Sequence, residues 1–430
     1  MKRIPMETVL VIAIVWITIG ALAADLLTAN FTMPSSGFIK INVMARSGSV
    51  DDVQAAVDEA IRIGAINVEI PEGNFTFSAS GSYRVNINVP ARGMNIFGAG
   101  INRTVLDMPD DDTTAQTTMF SVTGLSKGRA RITGITFKGR SAPGSATGDT
   151  AIQIISCKDF RVDHCSFYDM GSNGVSVQDH STQSGIVAGD PNRVSQGVVD
   201  HCYFYDLYKA AATKAGTGYG YGVGISRAMH YNWTVVEDED FMWNNIIGHY
   251  LRNVYVEDCY FRGCRHATTG NFGAIYVLRH CTIEDMLLAE ATCTGHPVRT
   301  NTYGMQAWEV YGNVIRYTET YGTRFNGIHM EGGQGVVYNN TIQNLLDAFR
   351  FGNCEDRHNY FHPQGNVKNM FVWNNTVSDC WQTITLIDNY NNPPGGDHAP
   401  VQDVDFFLRA PLPSEANYTP YTYPHPLVSG

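Results

Sequence analysis

The sequence predicts an all-β solenoid in which short strands form coils that stack on one another, preceded by one helix near the N-terminus. The main observation is a phrase that returns along the chain and is clearest as Arg-Val-Asp-His-Cys-Ser-Phe at 161–167. Each copy is an apolar run, a two-residue polar corner and another apolar pair, and the copies lie at 161–167, 198–204, 254–261, 276–283, 336–342 and 371–377. Such a repeat cannot bury its apolar side alone, so neighbouring copies must stack. The 42 Gly and the 17% of charged residues in this 430-residue chain are typical of a folded, turn-rich protein.

The predicted N-terminal part, residues 32–110, holds the helix and the first strands. The helix is predicted over 49–61, with Ser49 or Asp51 as its cap and Gly64 at its end. Its apolar stripe consists of Val53, Ala56, Val57, Ala60 and Ile61. Strands are predicted over 67–77, 94–100 and 104–106. A helix over the open end of a coil stack covers an edge that would otherwise pair with other strands, so we expect this helix to be a cap.

The coils themselves are predicted over 111–404. The second corner residue marks one point of each coil, and these markers are Cys165, Cys202, Cys259, Cys281, Asn313, Asn340 and Asn375. A coil of three strands and their corners needs about 20 to 25 residues, so the longer intervals must carry loops. The largest predicted insertion lies between Cys202 and Cys259. The proline-rich end, 405–430, cannot continue the ladder and is predicted to be an extended strap.

The N-terminus predicts export. A Met-Lys-Arg start is followed by an uncharged run from Val9 to Ala24, with an Ala-x-Ala site before Asp25. These features are typical of a cleaved signal peptide over 1–24. The alternative is an uncleaved membrane anchor, because about 16 apolar residues approach the shortest span of a bilayer. We therefore expect a secreted or cell-surface protein, with a membrane contact only if the N-terminal segment is retained.

The charge balance argues against a nucleic-acid partner. The chain has 30 Lys and Arg against 41 Asp and Glu, a net charge of −11, and it has no basic run that would neutralise phosphates. Asp110, Asp111 and Asp112 offer carboxylate oxygens of the kind that bind Ca²⁺, although three acids in a polar loop are also readily solvated. No cofactor is predicted, and Ca²⁺ is kept as a candidate.

Nine cysteines in an exported chain suggest disulfides, but their positions favour few bridges. Four of them share the corner position with Asn340 and Asn375, which indicates an inward-facing column of small side chains. Parallel side chains in neighbouring coils have poor disulfide geometry. We expect at most two bridges, drawn from Cys264, Cys293, Cys354 and Cys380. No Cys or His spacing resembles a zinc site.

The predicted helix is followed by Val-Glu-Ile-Pro-Glu-Gly-Asn-Phe at 68–75, Ile-Phe-Gly-Ala-Gly at 96–100, and the Val-Asp-His-Cys and Asn-Asn-Thr-Ile corners. Over roughly residues 40–390 this series resembles the pectate-lyase-like superfamily of right-handed parallel β-helices. The Arg-x-Pro-Arg motif of pectate lyases and the Asn-Thr-Asp and Gly-His-Gly motifs of polygalacturonases are absent. The resemblance therefore implies the fold and an action on, or binding of, acidic polysaccharide, but it transfers no catalytic residue. A non-catalytic glycan-binding or structural surface protein is the alternative, since fold does not decide function.

In such coils the strand after the third corner lines the face that is usually offered to a glycan. These strands are predicted at 174–177, 222–225, 265–268, 305–307, 326–331, 348–351 and 384–387. Because strand side chains alternate between the two faces, the residues predicted to point inward are Ala267, Ile328, Met330, Phe349 and Phe351. The predicted outward row is His266, Gln306, His329 and Arg350, with Glu331 beside it and Arg265 and Arg324 flanking it. Stacking brings this row within three coil steps, about 14 Å.

This row predicts two possible reactions. β-Elimination needs a base near the proton beside a uronate carboxylate and a cation that neutralises the carboxylate. His329 is the predicted base and Arg350 or Arg324 the predicted neutraliser, while Arg265, His266 and Gln306 are predicted to bind substrate.

Hydrolysis instead needs two carboxylates about 5 to 9.5 Å apart, for which Glu331 with Asp347 or Glu355 is the candidate pair. A third possibility is that His329, Glu331 and Arg350 are a solvated charge ladder that stabilises neighbouring coils. The recurring Asp163-His164 and Asp200-His201 pairs are predicted to be structural, because recurrence in successive coils favours a ladder.

Overall fold

The computed structural model describes the coil-forming segments and most of the C-terminal segment. The described residues are 28–32, 40–78, 84–109, 118–124, 128–140, 149–179, 194–207, 220–226, 248, 253–271, 274–287, 290–294, 305, 307–320, 322–330, 333–352, 367–387, 406–415 and 417–429. The predicted signal peptide, the acidic run 110–112 and most of the insertion between Cys202 and Cys259 lie outside these segments. Among the residues described, no helix is long and apolar enough to cross a membrane.

Three long sheets of thirteen, ten and ten strands build the described chain. Sheet 1 contains β1 (Thr28–Thr32), β2 (Lys40–Met44), β3 (Asn67–Glu69), β6 (Met94–Phe97), β9 (Ala130–Thr133), β12 (Lys158–Asp163), β15 (Gln196–Asp200), β18 (Val254–Glu257), β21 (Ile275–Arg279), β24 (Ala307–Tyr311), β27 (Gly333–Tyr338), β30 (Val367–Trp373) and β33 (Phe406–Phe407). Sheet 2 contains β4 (Gly73–Thr76), β7 (Thr104–Asp107), β10 (Thr136–Lys138), β13 (Ser166–Tyr168), β16 (Tyr203–Tyr205), β19 (Tyr260–Arg262), β22 (Thr282–Glu284), β25 (Val314–Arg316), β28 (Thr341–Gln343) and β31 (Thr376–Ser378). Sheet 3 contains β5 (Val85–Asn88), β8 (Thr118–Thr123), β11 (Thr150–Ile155), β14 (Asn173–Gln178), β17 (Tyr221–Ser226), β20 (His266–Asn271), β23 (Glu290–Thr294), β26 (Asn326–Met330), β29 (Asp347–Gly352) and β32 (Gln382–Ile387).

Strands that pair within each sheet are three apart in the chain, so every coil gives one strand to each sheet. From β3 to β32 the described strands form ten coils of three, numbered here one to ten. Their pairings are parallel, as in β12 with β15 and β26 with β29, whereas β1 and β2 pair antiparallel. The predicted parallel β-helix is confirmed, and its right hand stays a prediction.

The helix α1 (Val50–Ile63) begins after the predicted cap Ser49 and runs two residues beyond the predicted end at 61, up to the predicted terminator Gly64. The Ser49 hydroxyl accepts a hydrogen bond from the Asp52 amide at 3.3 Å, and Gly64 closes the helix in the left-handed conformation, with φ of 82°. Val53, Ala56, Val57 and Ala60 are fully buried, as predicted. Ile61 is 36% exposed, so its place in the predicted stripe is wrong. The buried stripe continues from Ala60 to Ile63, three residues later, and Ile63 is partly buried against the core. The role of α1 as an end cap stays a prediction.

The recurring polar corner turns the chain from sheet 1 into sheet 2. Its first residue has the left-handed conformation in successive coils, with φ of 50° at His164, 51° at His201 and 54° at Asn339. Its second residue faces the core and joins a column that runs through the coils. The column of cysteines predicted from the sequence is confirmed, since the thiol of Cys202 lies 3.6 Å from the Val162 carbonyl oxygen of the coil before, and Cys259 and Cys281 repeat this contact.

Asparagines continue the cysteine column in the later coils. The Asn313 Oδ1 accepts from the Cys281 amide at 2.9 Å, which joins the two halves. The Asn313 Nδ2 donates to Asn340 Oδ1 at 2.9 Å, and the Asn340 Nδ2 donates to Asn375 Oδ1 at 2.9 Å. Asn313 and Asn340 therefore each give one bond to the next coil, and the Asn375 amide donates to the Val337 and Trp373 carbonyls, so these polar groups are satisfied.

The described cysteines are free thiols, and they are Cys157, Cys165, Cys202, Cys259, Cys264, Cys281 and Cys380. Burial raises the pKa of Cys165 and of Cys259 well above the ordinary thiol value. These thiols thus behave as small apolar groups of the core. Of the four candidates for bridging, Cys264 and Cys380 are unbridged, the side chain of Cys293 is not described, and Cys354 lies outside the described part of the chain.

The C-terminal segment, 406–429, begins with a strand. Phe406–Phe407 pairs in parallel with β30, which corrects the prediction that the ladder stops before Phe406. The strand ends before Pro411 and Pro413, because proline has no amide hydrogen to donate to a ladder. The segment ends in the short helix α2 (Pro426–Ser429).

Between these ends the segment runs back over the outer side of sheet 1. The Tyr418 hydroxyl donates to Glu309 of coil eight at 2.8 Å, and the His425 amide donates to Glu257 of coil six at 2.8 Å. The Leu427 carbonyl accepts from Arg161 of coil four at 3.0 Å. An apolar cluster on that outer side, separate from the core, is thereby covered; it includes Tyr255, Val277, Tyr311, Tyr338 and Phe371.

Candidate functional site

Sheet 3 carries the predicted histidine and arginine in one column. Parallel pairing aligns Thr269 with Cys293, Cys293 with His329, His329 with Arg350, and Arg350 with Thr385. Neighbouring strands lie about 4.8 Å apart, so the bases of the His329 and Arg350 side chains are one coil step apart. The central part of the predicted row is therefore confirmed.

Alternation along β26 and β29 sets the direction of these two side chains. Ile328, Met330, Phe349 and Phe351 belong to the core cluster, as the sequence predicts. His329 lies between the first two of these residues and Arg350 between the last two, so both side chains project from the opposite side of the sheet. His329 is nonetheless only 2% exposed, whereas Arg350 is half-buried. The pair combines a water-shielded imidazole with a neighbouring guanidinium.

His266 belongs to a different column. It is aligned with Tyr221 of β17, and Thr269, three residues later, is aligned with the column of His329. The single row predicted for His266 and His329 is thus wrong. The reason is that Ala267 and Thr268 are both fully buried, so strict alternation fails at the start of β20.

His266 lies instead in an aromatic and cationic group at the start of β17 and β20. Its ring centroid is 5.0 Å from that of Tyr221, and the Arg265 guanidinium carbon is 5.8 Å from the Tyr221 centroid. His266 and Tyr221 are buried, and Arg265 is half-buried. Tyr221 lies in a Gly/Tyr-rich insertion without a repeat phrase, so its alignment with His266 could not be counted from the sequence.

The strand predicted over 305–307 is a further error. Ala307 starts β24 of sheet 1, and the strand that coil seven gives to sheet 3 is β23, Glu290–Thr294. That strand reads Glu-Ala-Thr-Cys-Thr and lacks the apolar residues that would have revealed it. Gln306 itself lies outside the described residues, so its predicted role stays a prediction.

The remaining candidates are only partly placed. Arg324 is exposed in the loop before β26 and lies close enough to Cys380 to lower the pKa of that thiol, against the larger rise caused by burial. Asp347 begins β29 and is aligned with Gln382. Glu331 and Glu355 lie outside the described residues, and the proposed carboxylate pair is therefore untested. Within the segments described, no three His, Cys, Asp or Glu side chains form a group that could hold a metal ion.

The two recurring Asp-His pairs form a corner ladder, as predicted. Asp163 is fully buried and accepts from Nε and Nη2 of Arg131 at 2.8 Å. Burial alone would raise the pKa of Asp163, but the bonds from Arg131 and His164 hold it below its usual value. The His164 and His201 rings stack with centroids 5.1 Å apart. Their repetition and their left-handed backbone give these pairs a structural role.

Comparisons with known proteins name no family for the chain. No family model matches it, and no curated protein matches its sequence. Among solved structures, an alginate lyase from Paenibacillus shares 13% identity over 80% of this chain and 97% of its own, with a TM-score of 0.48. The A-module of a mannuronan C-5 epimerase from Azotobacter vinelandii shares 13% identity over 79% and 95% with a TM-score of 0.36, and a family 28 exopolygalacturonase from Yersinia enterocolitica shares 10% over 85% and 83% with a TM-score of 0.36. At these values the likeness carries no argument about chemistry, and the fold is assigned from the chain's own three parallel sheets.

Proposed function

We propose that the protein binds an acidic polysaccharide along sheet 3 and cleaves it by β-elimination. The observation that supports this proposal is the alignment of His329 with Arg350 on adjacent strands, facing away from the core. A base and a cation held on a rigid sheet are the two groups that this reaction requires.

In the proposed reaction, His329 removes the proton from the carbon next to the uronate carboxylate. Arg350 neutralises the negative charge that develops on that carboxylate. The electron pair of the broken C–H bond forms a carbon–carbon double bond, and the pair of the glycosidic C–O bond leaves with the departing sugar oxygen, which takes up a proton. The products are a new sugar end and an unsaturated uronate.

The group formed by Tyr221, Arg265 and His266 supports binding beyond the reacting sugar. Its members lie two to four coil steps from the His329 and Arg350 pair, about 10 to 19 Å along the stack. The half-buried Arg265, whose guanidinium lies 5.8 Å from the Tyr221 centroid, offers a sugar a charged donor that the buried ring holds in place. We propose that this group holds a sugar of the same chain.

The test is incubation of the purified protein with a panel of uronate polymers, with and without Ca²⁺, while the ultraviolet absorbance of the unsaturated product is followed. His329→Ala is expected to lower kcat about 10²- to 10⁴-fold and Arg350→Ala about 10²- to 10³-fold. Gln343→Ala is the matched control, because Gln343 lies in the same coil as Arg350 but on sheet 2. Equal activity of the His329 variant and the control would remove His329 from the reaction.

The alternatives give different outcomes in the same assay. New reducing ends without an unsaturated product would indicate hydrolysis and would direct attention to Glu331 with Asp347 or Glu355. Binding of a polymer without either product would indicate a glycan-binding or structural protein, an alternative that the 2% exposure of His329 favours.

Export belongs to the same proposal. The uncharged run after Met-Lys-Arg is the supporting feature. Mass spectrometry of the protein collected outside the cells is expected to find a chain that starts near Asp25. A chain that keeps residues 1–24 and stays with the membrane fraction would contradict cleavage.

A further inference from the structure

Along sheet 3 a run of uncharged strands is followed by a run of strands with ionisable residues, and the last strand, β32, is again uncharged. No Lys, Arg, His, Asp or Glu occurs in β5, β8, β11, β14 or β17. Each of the next four strands contains at least one, namely His266 in β20, Glu290 in β23, His329 in β26, and Asp347 with Arg350 in β29. The change occurs between coils five and six.

Amides and hydroxyls occupy the uncharged part. Pairing aligns Ser121 with Gln153, Gln153 with Ser176, and Ser176 with Gly224 in one column of β8, β11, β14 and β17. The Gln153 Nε2 donates to Gln178 Oε1 at 3.3 Å, and the Gln178 Nε2 donates to the Ser176 hydroxyl at 3.1 Å. Both glutamines are half-buried, so part of each side chain is exposed, whereas Ser121 and Ser176 are buried. Such groups exchange hydrogen bonds with sugar hydroxyls and carry no charge.

Distances along the stack make this division relevant to a polymer. The uncharged strands from β8 to β17 extend over three coil steps, about 14 Å, and the strands from β8 to β29 over seven steps, about 34 Å. A carboxylate that leaves water for a neutral surface loses hydration without gaining a counter-charge. A polymer with a carboxylate on every sugar would pay this cost repeatedly over coils two to five.

We propose that the polysaccharide bound along sheet 3 is a heteropolymer, with an acidic sugar at His329 and Arg350 and neutral sugars along Ser121, Gln153, Ser176 and Gln178. This inference rests on the proposed function, since it assumes that sheet 3 is the binding face. It adds the substrate class, which is a chain with one uronate among neutral sugars.

The test compares a homopolymeric uronate with a polymer of neutral sugars that carries one uronate per repeat. The heteropolymer is expected to give at least a tenfold higher kcat/KM. The double variant Gln153→Lys/Gln178→Lys, which adds two cations to the uncharged part, is expected to move the preference about tenfold toward the homopolymer. Gln343→Lys adds a cation to sheet 2 in the same chain and is the control, which should leave the preference unchanged.

The outcomes separate the two proposals. A higher kcat/KM on the homopolymer, or no change of preference in the double variant, would overturn the heteropolymer inference and leave β-elimination intact. Absence of unsaturated product from both polymers would overturn β-elimination. In that case affinity electrophoresis in gels that contain each polymer decides the inference, because stronger retardation by the heteropolymer supports it and equal or weaker retardation refutes it.

Discussion

Replacement of Arg279 by methionine tests how the C-terminal segment is held on sheet 1. The Arg279 side chain is fully buried, and its Nε donates to Glu257 Oε2 at 2.7 Å. Its Nη1 donates to the Tyr311 hydroxyl at 2.9 Å and to the Tyr421 carbonyl at 3.0 Å, and its Nη2 donates to the Thr422 carbonyl at 3.0 Å. Methionine keeps an apolar stem and removes every one of these donors.

The expected loss follows from the burial of Glu257. Removal of one partner from a buried ion pair costs about 3 to 5 kcal/mol, because the remaining charge has no compensation. Glu257 is fully buried, and burial raises the pKa of its carboxyl even with Arg279 present. We therefore expect Arg279→Met to lower the free energy of unfolding by about 3 to 5 kcal/mol. The double variant Arg279→Met/Glu257→Gln should recover about 2 kcal/mol, since it removes the uncompensated charge.

Urea unfolding followed by both circular dichroism and tryptophan fluorescence measures this loss, since two probes reveal whether a repeat protein unfolds in stages. Arg409→Met is the matched control. Its pair with Glu415 has exposed fractions of 40% and 32%, so a much smaller change than for Arg279→Met is expected. The reasoning is refuted if Arg279→Met costs no more than this control, or if the double variant is less stable than the single one.

Three other predictions concern the column and the buried ionisable groups. Asn340→Ala should lower the free energy of unfolding by about 2 to 4 kcal/mol, because four hydrogen bonds of the Asn340 side chain join coils eight to ten. Asn340→Cys should lower it less, since cysteine fills the same position in earlier coils. Equal losses of the two variants in urea unfolding would contradict this reasoning. Burial raises the pKa of Glu309 to about 7 from an ordinary 4.5, so its contribution to stability is fully present below pH 4.5 and is lost as the pH rises through 7. The stability of Glu309→Gln, measured relative to the wild type, should therefore rise between about pH 5 and pH 8. If the difference between the two proteins stays constant with pH, Glu309 is already ionised. Burial lowers the pKa of His425 to about 4, which has the opposite effect on stability, but this effect is common to both proteins and cancels in the difference. Cys165 should not react with a disulfide reagent until urea unfolds the chain, and rapid labelling of the native protein, located by peptide mass mapping, would argue against its burial.

The sequence predicts the coils well because their corners have strict local requirements. A residue that tolerates the left-handed conformation must precede a small inward side chain, and the phrases around His164 and Asn339 satisfy both conditions. Where a strand lacks such a corner, prediction fails. The strand Glu290–Thr294 has few apolar residues, so the prediction places 305–307 there instead, although Ala307 begins a strand of sheet 1 in the next coil.

The candidate site was predictable only where strands alternate regularly. His329 and Arg350 lie between core residues on both sides, so alternation places them correctly. His266 lies before two consecutive buried residues, and alternation counted across that break assigns it to the wrong column. The partnership of Arg265 with Tyr221 depends on which strands the long insertion brings together, and this cannot be counted from one sequence.

The path of the C-terminal segment imposes an order on how the protein is made. The ribosome completes coils six to nine before residues 406–429 emerge, so the stripe of Tyr255, Tyr311 and Tyr338 is exposed to water throughout that time. Every nascent chain therefore carries a long aromatic surface before the segment 406–429, which packs on it in the described structure, is made. Loss of those residues in a truncated chain would make that stripe permanently available for aggregation.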